Sequence, residues 1–214
     1  MNVMWRREKY KLCPQLTIYK NLSPLMKDKH VLEIGFCTGA GVVQYAGQAK
    51  HVTAIEIDRD AVEFCRDVFP LPNVSWEVGD ICKETIGKYD AIVMIEVIEH
   101  IPRWQEALKR VHDLLVDSGV LIISTPNANG TFIKNPLHGD EWTAQEFHDR
   151  LANYFNEVTL HDFSLDNPQE LDTRITPLVA VCRKRPSKVE LNEDQVGAMV
   201  DAFDAATRQI GASK

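Results

Sequence analysis

The chain predicts an α/β fold: a mostly parallel sheet with helices on both faces. Three observations carry that prediction. Val31, Leu32 and Ile34 form a short apolar strand that runs into Gly35, Gly39 and Gly41 and then into a helical pattern. Strand and helix patterns then alternate, which calls for parallel strands joined by right-handed crossovers. The first four strands end in glycine or acid: the glycine turn, Glu56, Gly79-Asp80 and Glu96. In open α/β sheets ligands bind beyond the carboxyl ends of the strands, so these ends mark one candidate site.

Taken in order, residues 1–28 read as an N-terminal lid. Trp5, Tyr10, Leu12, Leu16, Ile18, Tyr19 and Leu22 are interleaved with basic residues, and Pro14 and Pro24 break the segment into short pieces. Trp5 and Tyr10 either pack on the body or reach substrate. The domain proper spans residues 29–185. After the glycine turn a helix is expected from Gly39 to Gln48. Strand two is His51 to Asp58, and a helix follows from Arg59 to Val68. Pro70 and Pro72 force a loop before strand three, Val74 to Val78. Strand four starts at Asp90 and runs to Ile95.

Pro102 suits the first turn of the next helix, where its missing N–H costs nothing, and the helix is expected to reach Val116. Trp104, Ala107, Leu108, Val111, Leu114 and Leu115 recur at helical spacing as a core face. Asp117-Ser118-Gly119 reads as a stop before strand five, Val120 to Ser124. Thr125 to Trp142 is a loop rich in Asn, Gly and Pro. Thr143 opens a helix to Tyr154, with Glu146 completing a capping box. Asn156 to Phe163 and Thr176 to Cys182 read as two further strands. Residues 186–214 read as a C-terminal amphipathic helix capped by Asn192, with Val196, Met199, Val200, Phe203 and Ile210 on one face. That face fits docking on its own body and homodimerisation equally well.

The 214 residues make one domain, and 44% hydrophobic with 26% charged residues is an ordinary globular composition. No apolar run has membrane-spanning length. The five scattered cysteines lack metal-knuckle spacing and fit reduced, cytoplasmic thiols. The net charge of −7 is uneven. Residues 1–30 carry seven Lys/Arg against Glu8 and Asp28, and the remaining 17 basic and 29 acidic residues leave −12 elsewhere. Such an acidic body argues against broad nucleic-acid binding.

The stretch VLEIGFCTG, followed by the acid of strand two, resembles the class I S-adenosylmethionine-dependent methyltransferases over roughly Met26 to Arg183. Glu33, Gly35 and Gly39 match the family's first motif, whereas Cys37 stands where that motif usually has its middle glycine. The resemblance implies a Rossmann-like, seven-stranded sheet in the order 3-2-1-4-5-7-6 with one antiparallel strand. It implies S-adenosylmethionine as cofactor, with Glu33, Gly35, Gly39 and Glu96 at the binding site. Glu56 is implied on the ribose, Ile57 against adenine, and Asp80 on the adenine amino group with Ile81 beside it.

Chemistry concentrates in Glu96-Val97-Ile98-Glu99-His100, just past strand four. His100 is the best general base, because imidazole titrates near neutrality and takes the proton of an attacking hydroxyl. Glu96, Glu99 and His100 also have the spacing of a metal site, for which oxygen ligands favour Mg²⁺ or Mn²⁺. On a third reading, Glu99 and His100 cap and orient the following helix. This segment resembles the ubiquinone-pathway O-methyltransferases and also the small-RNA 3′-end 2′-O-methyltransferases. In the latter a Glu, Glu, His set and a later His bind metal, and His138, before Glu141-Trp142-Thr143, aligns with that later His. NPLHGDEWTAQEF also resembles bacterial small-molecule and sugar methyltransferases with no metal. The expected acceptor is accordingly an oxygen on a small molecule or glycan. RNA is the alternative acceptor, and a non-catalytic cofactor-binding or scaffold protein is a third reading.

Overall fold

The computed structural model describes residues 15–83, 87–130, 139–165, 167–173 and 176–184. Trp5, Tyr10, His138 and the C-terminal helix with its candidate dimer face lie outside these residues.

The chain opens with α1 (Leu16–Leu22) and a 3₁₀ turn (Ser23–Met26). Then follow β1 (His30–Ile34), α2 (Ala40–Tyr45), β2 (His51–Glu56), α3 (Arg59–Val68), β3 (Val74–Val78) and β4 (Tyr89–Ile95). A second 3₁₀ turn (Ile98–His100) leads to α4 (Trp104–Leu114), β5 (Leu115–Thr125), α5 (Ala144–Ala152), β6 (Glu157–His161) and β7 (Leu178–Arg183). The described strands form one sheet in the order β3-β2-β1-β4-β5-β7-β6. β1 to β5 pair in parallel, and β7 runs antiparallel to both β5 and β6. This is the topology that the family resemblance implies.

The strands alternate their side chains between two cores, as pleating requires. Leu32, Ile34, Ile92, Met94, Leu121 and Ile123 face α4 and α5, meeting Leu108, Val111 and Phe147. Val31, Val52, Ala54, Val93 and Ile122 face the other way, onto α1, α2 and α3. Leu108 is fully buried, and truncating such a side chain to Ala costs roughly 2–5 kcal/mol. Ile18, Leu22 and Met26 are also fully buried. The described part of the N-terminal segment therefore belongs to the second core rather than lying loosely over it.

Local chemistry explains most element ends. Gly39 is the N-cap of α2 in the left-handed region, at φ +74°. Asp58 caps α3 by accepting from the Asp60 N–H. Thr143 and Glu146 close the predicted capping box on α5.

Three expectations are corrected. Pro102 precedes α4 instead of occupying its first turn, because the chain makes a turn at 102–103 before becoming helical at Trp104. α4 gives way to β5 at Leu115, and Asp117-Ser118-Gly119 lies within that long strand instead of ending the helix. Tyr89 pairs with Leu115 but Ala91 pairs with Val120, so the three turn-forming residues are accommodated as a register irregularity. Glu99 and His100 do not cap α4, whose N-cap is Arg103 with no side-chain capping hydrogen bond.

Candidate active site

A cavity of about 710 Å³ opens at the carboxyl ends of β1, β2, β3 and β4. Its lining includes Gly35, Cys37, Glu56, Ile57, Asp80, Ile81, Glu96 and His100. Seven of the predicted cofactor and catalytic positions therefore share one cavity, although they are drawn from four segments of the chain. Two others, Glu33 and Gly39, do not line it.

Glu33 lies one position before Ile34 on β1 and shares the pleat face of Val31, so it points into the second core. It is fully buried and accepts from Tyr19 Oη at 2.7 Å and Tyr45 Oη at 2.8 Å. Burial pushes its carboxyl up to about 8, against the lowering effect of the two phenol hydrogen bonds. Gly39 supports the turn from behind. A Cβ there would meet Cys65 Sγ at 2.7 Å. Gly35, at φ +73°, backs onto Val97, whose Cγ2 would stand 2.6 Å from an added Cβ. Only glycine satisfies both the left-handed backbone and the close approach at these two positions.

Cys37 adopts φ +52°, a left-handed conformation costly for a side-chain-bearing residue. Its backbone N–H donates to Glu56 Oε2 at 2.9 Å. Glu56 Oε1 accepts from the N–H groups of Ile57 at 2.8 Å and Asp58 at 3.2 Å. The carboxylate is thus fixed by three backbone donors, and among the described residues about one of its four acceptor directions stays open. A vicinal diol would meet that direction and share another. Ile57 is 71% exposed, an apolar surface at the rim of the cavity.

Asp80 accepts from the Cys82 N–H at 2.9 Å and pairs with Lys83 at 3.2 Å. Partial burial raises its carboxyl, but the Cys82 hydrogen bond, Lys83 and Arg103 outweigh it and hold it below the usual range. Asp80 is therefore an ionised acceptor. Glu96, at φ +56°, is held by Ser124, whose hydroxyl donates to Glu96 Oε1 at 2.8 Å.

Glu99 is almost fully buried. Thr125 Oγ1 donates to its Oε2 at 3.3 Å, and its Oε1 has no hydrogen-bond partner among the described residues. Burial first, then the charge of Glu96, push its carboxyl up to about 8, with Thr125 opposing and Glu141 adding. His100 Nε2 stands 4.0 Å from Glu99 Oε1, and the imidazole is 43% exposed on the cavity side of that buried acid. Among the described residues no three His, Cys, Asp or Glu side chains are placed to hold a metal ion. Thr125 on β5 holds one oxygen of Glu99, and the other faces His100. His138 lies outside the described residues.

The loop after β5 returns to the sheet through Trp142. The Ala128 N–H donates to its carbonyl, and its buried ring packs on Trp104 and Phe147. Arg150 sits over both Trp142 and Trp104, at 5.1 and 5.5 Å from the ring centroids. Trp142 is thereby an anchor for the loop. Sequence reading missed Tyr19 and Tyr45 as partners of Glu33, and Ser124 and Thr125 as partners of the two glutamates. The period-2 placement of Val31 and Glu33 on one pleat face was the available signal for the first pair.

The methyltransferase domain family matches residues 4–163. The chain belongs to that family. A probable S-adenosylmethionine-dependent methyltransferase of Mycobacterium tuberculosis is 31% identical over 137 residues, 60% of this chain and 49% of the relative. A ubiquinone biosynthesis O-methyltransferase of Coxiella burnetii is 29% identical over 111 residues, 49% of this chain and 46% of its own. The chain spans about half the length of the curated relatives it matches. Among solved structures, the N-methyltransferase NodS of Bradyrhizobium japonicum superposes with a TM-score of 0.57 at 21% identity. That match covers 86% of this chain and 98% of NodS. At that identity it speaks for the fold alone. Among the described residues no helix is long and apolar enough to cross a membrane.

Proposed function

We propose that this methyltransferase-family chain moves the methyl group of S-adenosylmethionine onto an oxygen of a small molecule or glycan, with His100 as general base. The observation that carries the proposal is the cavity itself, which is lined by anchored carboxylates at Glu56 and Asp80 and by the partly exposed imidazole of His100. Glu56 takes the ribose hydroxyls, Ile57 and Ile81 flank the adenine, and Asp80 accepts from the adenine amino group. Held this way, the cofactor would supply its sulfonium methyl within the cavity that Glu96 and His100 also line. The acceptor hydroxyl attacks the methyl carbon in line. The C–S bond breaks with its electron pair to sulfur, the O–CH₃ bond forms, and the hydroxyl proton passes to the His100 imidazole.

Little acid–base help is needed at sulfur, so alignment supplies most of the acceleration. The base matters because a neutral alcohol or phenol is a poor nucleophile. The partial likeness to a ubiquinone biosynthesis O-methyltransferase supports oxygen as the acceptor atom.

The test is calorimetric titration of S-adenosylhomocysteine into the wild type and His100→Ala, followed by methyl transfer to a panel of catechols, phenols and sugars. The expected result is wild-type affinity within about threefold and a loss of turnover of roughly 10²–10⁴ in the variant. Wild-type turnover in His100→Ala would reject His100 as base. Absence of S-adenosylhomocysteine binding would reject the cofactor assignment.

A further inference from the structure

We infer that Tyr19, Glu33 and Tyr45 form a buried latch through which the N-terminal helix sets the glycine turn, so that docking of that helix and occupation of the cofactor site are coupled. The inference rests on the cofactor reading above for what binds at the turn. It does not rest on that reading for the latch.

Three elements meet at one carboxyl group. Glu33 stands at the end of β1, two residues before Gly35. Tyr45 is the last residue of α2, the helix that the turn opens. Tyr19 comes from α1, outside the β1–turn–α2 unit. Both phenol hydroxyls donate to Glu33, one to each oxygen, and all three side chains are buried. The Tyr19 and Tyr45 rings lie nearly parallel, at 10° with centroids 6.4 Å apart. Gly41 leaves the room for this: a Cβ at that position would overlap the Tyr19 ring. α1 thus presses against the first turn of α2 with a ring and holds the strand before the turn with a hydroxyl.

The turn between these two grips carries Gly35 and Cys37 into the cavity and hands the Cys37 N–H to Glu56. If α1 leaves, Glu33 keeps one phenol in place of two and the space over Gly41 opens to solvent. A buried carboxyl that loses a partner is costly, so the turn is expected to move to recover one. Coupling is reciprocal: if a docked α1 favours the turn geometry that binds ligand, bound ligand favours a docked α1 by the same factor. Asn21 supplies α1 with a second grip, donating to the Phe163 carbonyl after β6 at 2.8 Å. Without Tyr19 Oη the helix stays tethered and its ring still rests over Gly41, but it loses its hold on the strand before the turn. This assigns Glu33 as a positioning residue, behind the binding site at which the resemblance places it.

The experiment is hydrogen–deuterium exchange of the full chain with and without S-adenosylhomocysteine, alongside calorimetric affinity, for the wild type, Tyr19→Phe and Tyr45→Phe. In the wild type, ligand is expected to slow exchange across residues 16–26, although α1 does not line the cavity. Tyr19→Phe keeps the ring and removes the grip. Affinity is expected to fall about tenfold, and the ligand-induced slowing at 16–26 to disappear. Tyr45→Phe removes an equivalent bond from the same carboxyl but leaves α1 attached, so its ligand-induced slowing persists. Gly41→Ala, which displaces the Tyr19 ring while keeping every hydroxyl, is expected to behave like Tyr19→Phe.

Wild-type ligand binding with no change at 16–26 would overturn the latch and leave the cofactor reading standing. Equal behaviour of the two phenylalanine variants would also overturn it, since that is what general loss of core stability predicts. No ligand binding by the wild type would overturn the cofactor reading, and the coupling with it.

Discussion

The Cys37 backbone N–H donates to Glu56 Oε2 at 2.9 Å, tying the glycine turn to the end of the neighbouring strand. Glu56 therefore has two tasks, holding the turn and facing the cavity. Glu56→Ala is expected to weaken S-adenosylhomocysteine binding by roughly 10- to 100-fold, the equivalent of one or two charge-assisted hydrogen bonds. Glu56→Gln keeps the shape but replaces one acceptor oxygen by a donor that faces backbone N–H groups, so it should be nearly as poor. Calorimetric titration checks both, and a Gln variant of wild-type affinity would contradict the role of the three backbone donors.

Cys37 is a second point of tension in the same turn. Its φ of +52° is a conformation glycine adopts freely. Cys37→Gly is expected to leave folding stability level or raise it by up to about 1 kcal/mol, because relief of backbone strain is partly offset by greater unfolded-chain entropy. Cys37→Val should lose about 1–2 kcal/mol, since a β-branched residue tolerates a left-handed backbone least. Urea unfolding of the two variants separates them. Equal midpoints would show that this residue's backbone carries no strain.

Gly35 tests close approach rather than strain alone. An alanine there would bring Cβ within 2.6 Å of Val97 Cγ2 while holding φ at +73°. Gly35→Ala is expected to lower stability by roughly 1–3 kcal/mol and to weaken cofactor binding, since the displaced segment includes cavity-lining Val97. Adding Val97→Ala frees the space but not the dihedral, so it should restore part of the loss. Full restoration by the double variant would assign the whole effect to crowding.

Much of this was legible in the sequence, for identifiable reasons. Strand ends at Glu56, Gly79-Asp80 and Glu96 were readable because apolar runs stop there, and the sheet topology assembles those ends around one cavity. The Thr143–Glu146 capping box was readable because its two hydrogen bonds span three residues. What could not be read depends on contacts distant in sequence. Thr125 donates to Glu99 across 26 positions, a partner that no local spacing announces. Asp117-Ser118-Gly119 has turn composition, yet β4 pairs with Leu115 before it and with Val120 after it, and the strand runs through. Glu33 reads as part of a glycine motif, and only pleat alternation together with the placement of α1 shows that it faces Tyr19.

Glu33 also sets a pH dependence whose sign is fixed by burial. Its carboxyl is raised from 4.5 to about 8 in the folded chain, so between those values the folded state holds a proton that the unfolded state has released. Stability then falls as pH rises through this window, by up to about 1.4 kcal/mol per pH unit, and levels off above the folded value. Glu99, raised to about 8 by burial and by Glu96, acts in the same direction. Wild-type urea midpoints are therefore expected to decline from pH 5 to pH 8.5. Glu33→Gln cannot ionise and keeps both an acceptor and donors for the two phenols, so it should show a shallower decline, with Glu99 supplying what remains. The variant is expected to gain on the wild type most at pH 8.5. Parallel wild-type and variant profiles would mean that Glu33 does not hold a proton in the folded chain at neutral pH, and that the two tyrosines suffice to keep it ionised.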